Sequence, residues 1–242
     1  MRTVYLDGQF VPEAEAKLSI YDLSVMQGAA AFEMTRSFQG VPFKLREHLL
    51  RLQTSCEALA IPWLWKPDHL VRLCESVADR NPHGPGEEHR LLIVVSPGCA
   101  DIYHDLDGVI AHPFCYIADF PLRYTVAGMG RYFTEGVHAV TSPIQQVPPA
   151  CVPASAKHRS RLHFHLAQQQ APSGTWPLLT DGDGYYCEAP GANLVWVKDG
   201  RVYCSDYQCL PGISMQTVQA LTGATRKVLT MEDAPDELWL TG

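Results

Sequence analysis

The sequence lacks several features that define common protein classes. No apolar run approaches the roughly 20 residues that a membrane span requires, and the longest, at residues 91–95, has the length of a strand. The first residues contain no apolar signal core. The net charge of −7 also argues against nucleic acid as a partner, because proteins that bind it carry basic patches that neutralise phosphate. We therefore expect no membrane segment and no nucleic-acid partner.

Paired cysteine motifs are missing too. The eight cysteines are scattered through apolar segments, and no two of them form a Cys-x-x-Cys motif. Cysteine used in this way, as a small hydrophobic residue, is typical of a reducing compartment. The composition therefore predicts a cytoplasmic protein.

Metal and nucleotide motifs are absent as well. The three histidines nearest to one another, His158, His163 and His165, do not have the i, i+4 spacing of a His-Glu-x-x-His site. Cys204 and Cys209 lack a second pair of ligands. The chain has no Gly-x-Ser-x-Gly and no Gly-x-Gly-x-x-Gly. We expect no metal site, and we set serine hydrolases and dinucleotide-binding proteins aside.

The length and composition permit a sizeable core. With 242 residues, 46% of them hydrophobic, the chain can form one large domain or two modest ones. Residues 121–136 lose hydrophobic periodicity and contain three glycines, which indicates a connection between domains. We expect an α+β protein with an N-terminal α/β domain at 1–120, a linker at 121–136 and a C-terminal α/β domain at 137–242.

The segment at residues 31–38 alternates as a strand does. Phe32 and Met34 fall on one side and Glu33 on the other. Arg36 falls on the apolar side, which is unusual for a charged residue and indicates a buried anion or an ion pair. The helix predicted next carries three polar residues on one stripe: His48, Arg51 and Ser55.

Lys157 differs from the other five lysines in its surroundings. Small residues precede it and a helical pattern follows it directly, so a flat ligand could approach its amine at the edge of an element. A desolvated lysine loses proton affinity and becomes a nucleophile that forms Schiff bases. A lone lysine is more often a solvated surface charge. The motifs that follow Lys157 decide between the two interpretations.

These motifs come in a fixed order. After the helix, a hairpin turns at residues 181–184, and Glu188 ends its second strand. Asn193 begins the next strand. A Gly-Ile-Ser segment, residues 212–214, then opens a helix whose free N–H groups and dipole favour an anion such as phosphate.

This order of lysine, helix, carboxylate-bearing hairpin, asparagine and Gly-Ile-Ser resembles the class IV (fold type IV) pyridoxal-phosphate enzymes. They include branched-chain aminotransferase, D-amino-acid aminotransferase and aminodeoxychorismate lyase. Residues 32–52 resemble the same family. The resemblance implies two α/β domains of the D-amino-acid-aminotransferase-like fold, with a smaller N-terminal two-layer sandwich and a C-terminal pseudo-barrel that carries the lysine. It also implies pyridoxal 5'-phosphate as cofactor and a two-fold homodimer.

The resemblance assigns roles to individual residues. It implies that Lys157 holds the cofactor as an internal aldimine and afterwards moves a proton between substrate and cofactor. It implies that Glu188 keeps the ring nitrogen protonated and that Arg51 pairs with the phosphate. The remaining cofactor-binding candidates are Asn193, Gly212, Ile213, Ser214 and Arg161. Ordinary structural roles remain open for each of them.

The substrate motifs of the family are incomplete here. D-amino-acid aminotransferases place Arg and His four and six residues after a loop glycine. Counted from Gly98, these positions hold Ile102 and His104, so the arginine is missing. We expect Arg36 or Arg90 to receive a substrate carboxylate, with His104 as a further candidate.

The activity implied is transfer of an amino group between a branched-chain-like or D-amino acid and a 2-oxo acid. Two alternatives stay open: an aminodeoxychorismate lyase that releases pyruvate and 4-aminobenzoate, and a cofactor-binding relative without catalysis. Family members continue beyond the position of Gly242 with a threonine that touches the phosphate, so we expect either a shortened chain or further residues.

Overall fold

The computed structural model describes the whole chain, Met1–Gly242, as an α+β protein with three sheets, which confirms the predicted class. The chain divides into two compact units. Unit 1 comprises Met1–Phe133 with Ala156–Ser160, and unit 2 comprises Thr134–Ser155 with Arg161–Gly242. None of the helices combines the length and the apolar character that a membrane span requires.

Unit 1 contains a six-stranded antiparallel sheet. Across the sheet the order is β2 (Gln9–Pro12), β1 (Thr3–Leu6), β6 (Phe114–Pro121), β5 (His89–Ser96), β3 (Ala31–Phe38) and β4 (Val41–Pro42). The β1–β2 hairpin turns at Asp7 and Gly8, which both have positive φ. An Asp-Gly pair at positive φ is the chemistry that a tight two-residue hairpin requires.

Two long helices cover one face of this sheet. The helices of unit 1 are α1 (Leu23–Met26), α2 (Leu45–Ala58), α3 (Pro67–Arg80) and α4 (Arg123–Val126). Leu49 and Leu52 of α2 and Leu70 of α3 pack against Leu91 and Ile93 of β5, and all five are at most 1% exposed. Each contributes about 1.5–3 kcal/mol by burial. Unit 1 therefore has the two-layer architecture expected for the N-terminal half.

The segment around Lys157 lies beside β3, and the amine of Lys157 lies over the other face of the sheet, next to Phe32. Because side chains alternate along strands, Phe32, Val94 and Tyr116 are cross-strand neighbours there. His158 bridges Ala31 of β3, so residues 157–159 extend the sheet as backbone partners. The prediction of a helix directly after Lys157 is therefore wrong: the next helix begins only at Leu162.

Unit 2 contains two sheets and two complete helices. The three-stranded sheet has the order β7 (His138–Thr141), β8 (Thr175–Thr180), β9 (Tyr186–Glu188). The four-stranded sheet has the order β12 (Thr225–Lys227), β11 (Arg201–Ser205), β10 (Asn193–Lys198), β13 (Glu237–Thr241). The helices are α5 (Tyr132–Glu135), which begins in unit 1, α6 (Leu162–Gln170) and α7 (Ile213–Thr222).

Hydrophobic clusters on the two sides of β10 form the core of unit 2. Leu194 and Trp196 pack on one side, while Val195 packs with Met215 of α7 on the other. The three-stranded and four-stranded sheets remain separate sheets and do not close into a barrel. The expected C-terminal pseudo-barrel is therefore corrected to two sheets.

Candidate active site

Lys157 is held through its backbone on both sides. Its N–H donates to Ser55 Oγ of α2 at 3.0 Å, and its carbonyl accepts from the N–H of Phe32 at 3.0 Å. The Ser55 hydroxyl can accept this bond because its own proton goes to the carbonyl of Arg51, at 2.8 Å. The lysine is half-buried, and Nζ lies 4.9 Å from the centroid of the Phe32 ring. The amine is thus presented on the Phe32 face of the sheet.

A buried acid, Glu33, orients the polar stripe of α2 beneath this lysine segment. Arg51 donates to its carboxylate with Nε at 2.6 Å and Nη2 at 2.9 Å, and His48 Nδ1 lies 2.7 Å from Oε2. The side chain of Glu33 is 0% exposed. Burial alone would raise the pKa of Glu33, but the hydrogen bonds from His48 and Arg51 outweigh it and hold the pKa below its ordinary value.

A second cation, on Arg159, shares the aromatic ring with the lysine. The Arg159 guanidinium lies 4.2 Å from the Phe32 centroid and hydrogen-bonds the hydroxyl of Tyr116. Burial raises the pKa of Tyr116, while Arg159 lowers it, and the net direction is upward. Sequence reasoning missed Arg159, although it stands two residues after Lys157 in the segment that adds to β3.

The structure pairs two of the three predicted substrate residues. Arg36 and Arg90 are directly opposite each other on β3 and β5. Arg36 donates to the carbonyl of Ser37 and stacks on Phe38, while Arg90 Nε contacts Met34 Sδ at 2.7 Å. Burial and the like charge of Arg36 lower the pKa of Arg90. The hydrogen bond from Ser37 and the charge of Arg36 lower the pKa of Glu88, so one carboxylate of the protein already lies near Arg36.

His104, the third candidate, lies elsewhere. It follows a single 3-10 turn at Asp101–Tyr103 and its side chain is 59% exposed. Nδ1 contacts the carbonyl of Asp101, and Nε2 lies 3.2 Å from Asp105. Its contacts are thus local to this turn, and none of them is with Arg36 or Arg90.

In unit 2, Glu188 ends β9 and is buried at 8% exposure. Its Oε1 accepts from Gln146 Nε2 at 2.7 Å, and its Oε2 accepts from the N–H of Leu210 at 3.3 Å. These two amide donors fix the orientation of the carboxylate. Gln146 was not predicted, because nothing in a sequence separation of 42 residues signals the contact.

The peptide of Leu210 joins three of the predicted residues. Its N–H goes to Glu188, while its carbonyl accepts from Asn193 Nδ2 at 2.7 Å. A Cβ atom on Gly212 would collide with Asn193 Oδ1, so only glycine fits beside this asparagine. Asn193 therefore positions the loop that leads into α7.

The Gly-Ile-Ser segment begins α7 as predicted. Gly212 is the N-cap and forms no side-chain cap hydrogen bond. Ser214 donates its hydroxyl to the carbonyl of Gly242 at 3.1 Å. A ten-residue helix that starts without a side-chain cap leaves its first N–H groups to other acceptors, which suits an anion. Arg161, the N-cap residue of α6, places its guanidinium 4.8 Å from the Phe164 ring centroid.

These groups meet the requirements of one kind of cofactor. Unit 1 offers an amine on a partly apolar face, and unit 2 offers a buried, oriented carboxylate together with an uncapped helix start. Pyridoxal phosphate needs an amine for its aldehyde, a carboxylate for its ring nitrogen and a cradle for its phosphate. The residues that each unit presents fit this group, and the fold and these groups indicate the class of pyridoxal-phosphate enzymes.

Comparison with known proteins identifies the family. Residues 30–242 match the family described as amino-transferase class IV. A branched-chain-amino-acid aminotransferase of Salmonella typhimurium is 25% identical over 259 residues, which cover 99% of this chain and 81% of that protein.

Comparison with solved structures gives the same fold. The branched-chain aminotransferase of Thermoproteus uzoniensis with norvaline has a TM-score of 0.85 and 25% identity, covering 100% of this chain and 83% of that one. The T.th. branched-chain amino acid aminotransferase complexed with N-(5'-phosphopyridoxyl)-L-glutamate shares the fold, with a TM-score of 0.83, 22% identity and coverage of 100% and 82%. The chain belongs to the class IV aminotransferases, which are pyridoxal-phosphate-dependent enzymes that move amino groups between amino acids and 2-oxo acids.

Proposed function

We propose that this enzyme transfers the amino group of a hydrophobic, branched-chain-like amino acid to a 2-oxo acid, with Lys157 as its catalytic amine. The observation that carries the proposal is the position of Lys157 Nζ over the Phe32 ring. Leu92, Val94 and Tyr116 pack with Phe32 on the same face, so an apolar side chain finds favourable contacts beside the amine. The Salmonella and Thermoproteus relatives, both named as branched-chain aminotransferases, support this substrate class.

Every predicted cofactor residue except Arg161 has a proposed role. Lys157 would anchor the cofactor covalently and move a proton on the substrate side. Glu188 would hold the ring nitrogen, and the α7 start (Gly212, Ile213, Ser214) and Arg51 are each proposed as groups that would bind the phosphate. When bound, pyridoxal phosphate supplies an electron sink for the substrate α-carbon. Glu33 and Asn193 are positioning residues in this scheme, because they contact Arg51 and the loop before α7.

Arg36 and Arg90 are proposed to receive the substrate carboxylate. Like charges directly opposite each other on a sheet are destabilising, and a bound carboxylate would relieve this repulsion with bidentate hydrogen bonds. Along β3, Arg36 is four residues from Phe32, which corresponds to about 13 Å. The arginine pair therefore lies toward the end of the strand away from Lys157. If neither Arg36→Ala nor Arg90→Ala raises KM for the amino donor, this assignment is wrong.

We further propose a cytoplasmic homodimer. The scattered cysteines are all free, and most of them are buried, as in proteins of reducing compartments. Two-fold dimers are the commonest assemblies of soluble enzymes. Sedimentation equilibrium tests the dimer, and a mass equal to one chain would contradict it.

The decisive experiment is a panel of amino donors with 2-oxoglutarate and pyruvate as acceptors. We expect L-leucine, L-isoleucine and L-valine to be used, and D-alanine to be used poorly. Lys157→Ala should lose both the activity and the absorbance of the bound cofactor, whereas Lys198→Ala, which changes a lysine at the end of β10 that pairs with Asp236, should keep both. Release of pyruvate from aminodeoxychorismate without an acceptor would instead identify a lyase, and bound cofactor without turnover would identify a non-catalytic relative.

A further inference from the structure

Unit 1 contains a buried cluster of two histidines and one aspartate that the transamination site does not use. His83 lies between α3 and β5, His89 is the first residue of β5, and Asp119 lies on β6. Their side chains are 7%, 16% and 0% exposed. His83 Nε2 and His89 Nδ1 lie 2.9 and 2.8 Å from the same atom, Asp119 Oδ2.

Hydrogen bonds within the protein do not satisfy every polar atom of this cluster. His89 Nδ1 lies at hydrogen-bond distance from Oδ2. His83 Nε2 is close to the same oxygen but makes no hydrogen bond, and Asp119 Oδ1 has no partner at all. Buried polar atoms in native proteins are nearly always satisfied, and an exception indicates an absent water or ion. His83 Nε2, buried beside Asp119 Oδ2 without a hydrogen bond, indicates a ligand inside this cluster.

We propose that His83, His89 and Asp119 bind one zinc ion, with water as the fourth ligand. The three candidate ligand atoms lie within 4.8 Å of one another. Zn–N and Zn–O bonds of about 2.0–2.2 Å in a tetrahedron place ligand atoms roughly 3.3 Å apart. The two histidine nitrogens lie 2.9 and 2.8 Å from Asp119 Oδ2, about half an ångström closer than this ligand spacing. Small rotations of the side chains would therefore admit the ion.

The donor set selects the metal. Two imidazoles and one carboxylate are a zinc-type set, whereas magnesium and calcium prefer all-oxygen sites. Binding requires a lone pair on His89 Nδ1, so a proton on that nitrogen moves to Nε2 of the same ring or leaves to solvent. The ionised carboxylate of Asp119 then compensates half of the charge of Zn²⁺.

The proposed ion lies on the opposite face of the sheet from Lys157. Side chains alternate along β5, so His89 shares the face of Leu91 and Ile93, beneath the helices, whereas Arg90 and Val94 face the lysine side. The ion would join the segment after α3 to the ends of β5 and β6. Its role is structural, and this inference does not depend on the proposed substrate.

The sequence analysis predicted no metal site, and the proposed zinc site departs from that prediction. That expectation rested on short motifs, and the three ligands here come from a loop and two strands. His89 and Asp119 are 30 residues apart, a separation that antiparallel pairing closes, since Leu91 of β5 is opposite Asp119. No local spacing rule can find such a site.

The test uses the full chain without a histidine tag, carrying Cys151→Ser because the exposed thiol of Cys151 would itself bind zinc. Zinc is titrated against a chromophoric chelator, and Co²⁺ is added as a spectroscopic substitute. We expect one zinc per chain and the intense visible absorption of four-coordinate cobalt. His83→Gln and His89→Gln should each lower the affinity by on the order of 100-fold or more, since even the loss of an outer-shell partner costs about 10–100-fold.

The matched control is His112→Gln, which alters an exposed histidine 3.0 Å from Asp7 and should leave zinc affinity unchanged. His83→Gln is the most informative variant, because His83 lies outside the helices and strands and its loss should not prevent folding. Zinc should also raise the midpoint of thermal unfolding of the parent and not of His83→Gln. No zinc binding by the parent, binding by both histidine variants as tight as by the parent, or the weak spectrum of six-coordinate cobalt would overturn the proposal.

Discussion

The two units each bury a glutamate, and the two carboxylates are held in different ways. Glu33 of unit 1 is paired with the guanidinium of Arg51, which compensates its charge, and its Oε2 lies 2.7 Å from the imidazole of His48. Glu188 of unit 2 is oriented by the amides of Gln146 and Leu210, which direct its oxygens but carry no charge. The pairing of Glu33 with Arg51 is typical of a group that stabilises a scaffold, whereas the role proposed for Glu188 is to bring a charge to the cofactor.

The largest effect is expected from Glu33→Gln on stability. The substitution keeps the shape but removes the buried negative charge that compensates Arg51. Breaking a buried ion pair by removing one partner costs about 3–5 kcal/mol of unfolding free energy, which urea denaturation would measure. Glu13→Gln is the control, because its pair with Arg2 is 39% exposed on both sides and should be worth less than about 1 kcal/mol. Equal losses in the two variants would contradict the scaffold role.

Glu188→Gln should lower activity far more than stability, the reverse of what is expected for Glu33→Gln. Without the carboxylate, the protonated ring of the bound cofactor loses its stabilising charge, so kcat should fall by about 100- to 1000-fold, as when one electrostatic contact in an active site is removed. The midpoint of thermal unfolding should fall only slightly, since the single carbonyl oxygen of Gln keeps one of the two hydrogen bonds that Glu188 accepts from Gln146 and Leu210. Near-normal kcat, or a loss of stability as large as that of Glu33→Gln, would make Glu188 a structural residue instead.

Sequence reasoning was most effective where function depends on local order. Glu188 at a strand end and the Gly-Ile-Ser segment at a helix start follow from turn chemistry and helix-capping rules, and the structure places both there. The stripe of His48, Arg51 and Ser55 follows from the period of a helix, and the structure aligns all three along α2. Such features need only a few neighbouring residues to be specified.

The contacts that the sequence could not reveal cross between elements. Alternation in β3 assigned Glu33 to the polar side, but α2 covers that side, so Glu33, Thr35 and Ser37 are buried. The pairing of residues 157–159 with β3 delays the helix that seemed to start at Lys157, because extended backbone partners override a local helical pattern. Both outcomes depend on tertiary packing rather than on periodicity.

Gly212→Ala tests the contact between Gly212 and Asn193 in the loop that leads into α7. The new methyl group would collide with Asn193 Oδ1 and force this side chain off the carbonyl of Leu210. Overpacking of this kind typically costs about 1–3 kcal/mol, and the shifted loop should also weaken cofactor binding, measured by fluorescence titration. Gly128→Ala, with no atom within 4 Å of the added carbon, is the control. Unchanged cofactor affinity in Gly212→Ala would separate Asn193 from the site.

The smallest effect expected is the pH dependence of the contribution that Glu33 makes to the free energy of unfolding. Because the pKa of Glu33 is lowered in the folded state, the unfolded chain takes up this proton first as the pH falls. The stabilisation is therefore fully present above the ordinary pKa of 4.5 and is lost as the pH falls through the folded-state value. Each unit of lowering is worth about 1.4 kcal/mol. Unfolding free energies of wild type and Glu33→Gln, measured from about pH 7 downward, should converge in this acidic range. If they diverge instead, burial dominates the ion pair and Glu33 is not the compensated acid that distinguishes unit 1 from unit 2.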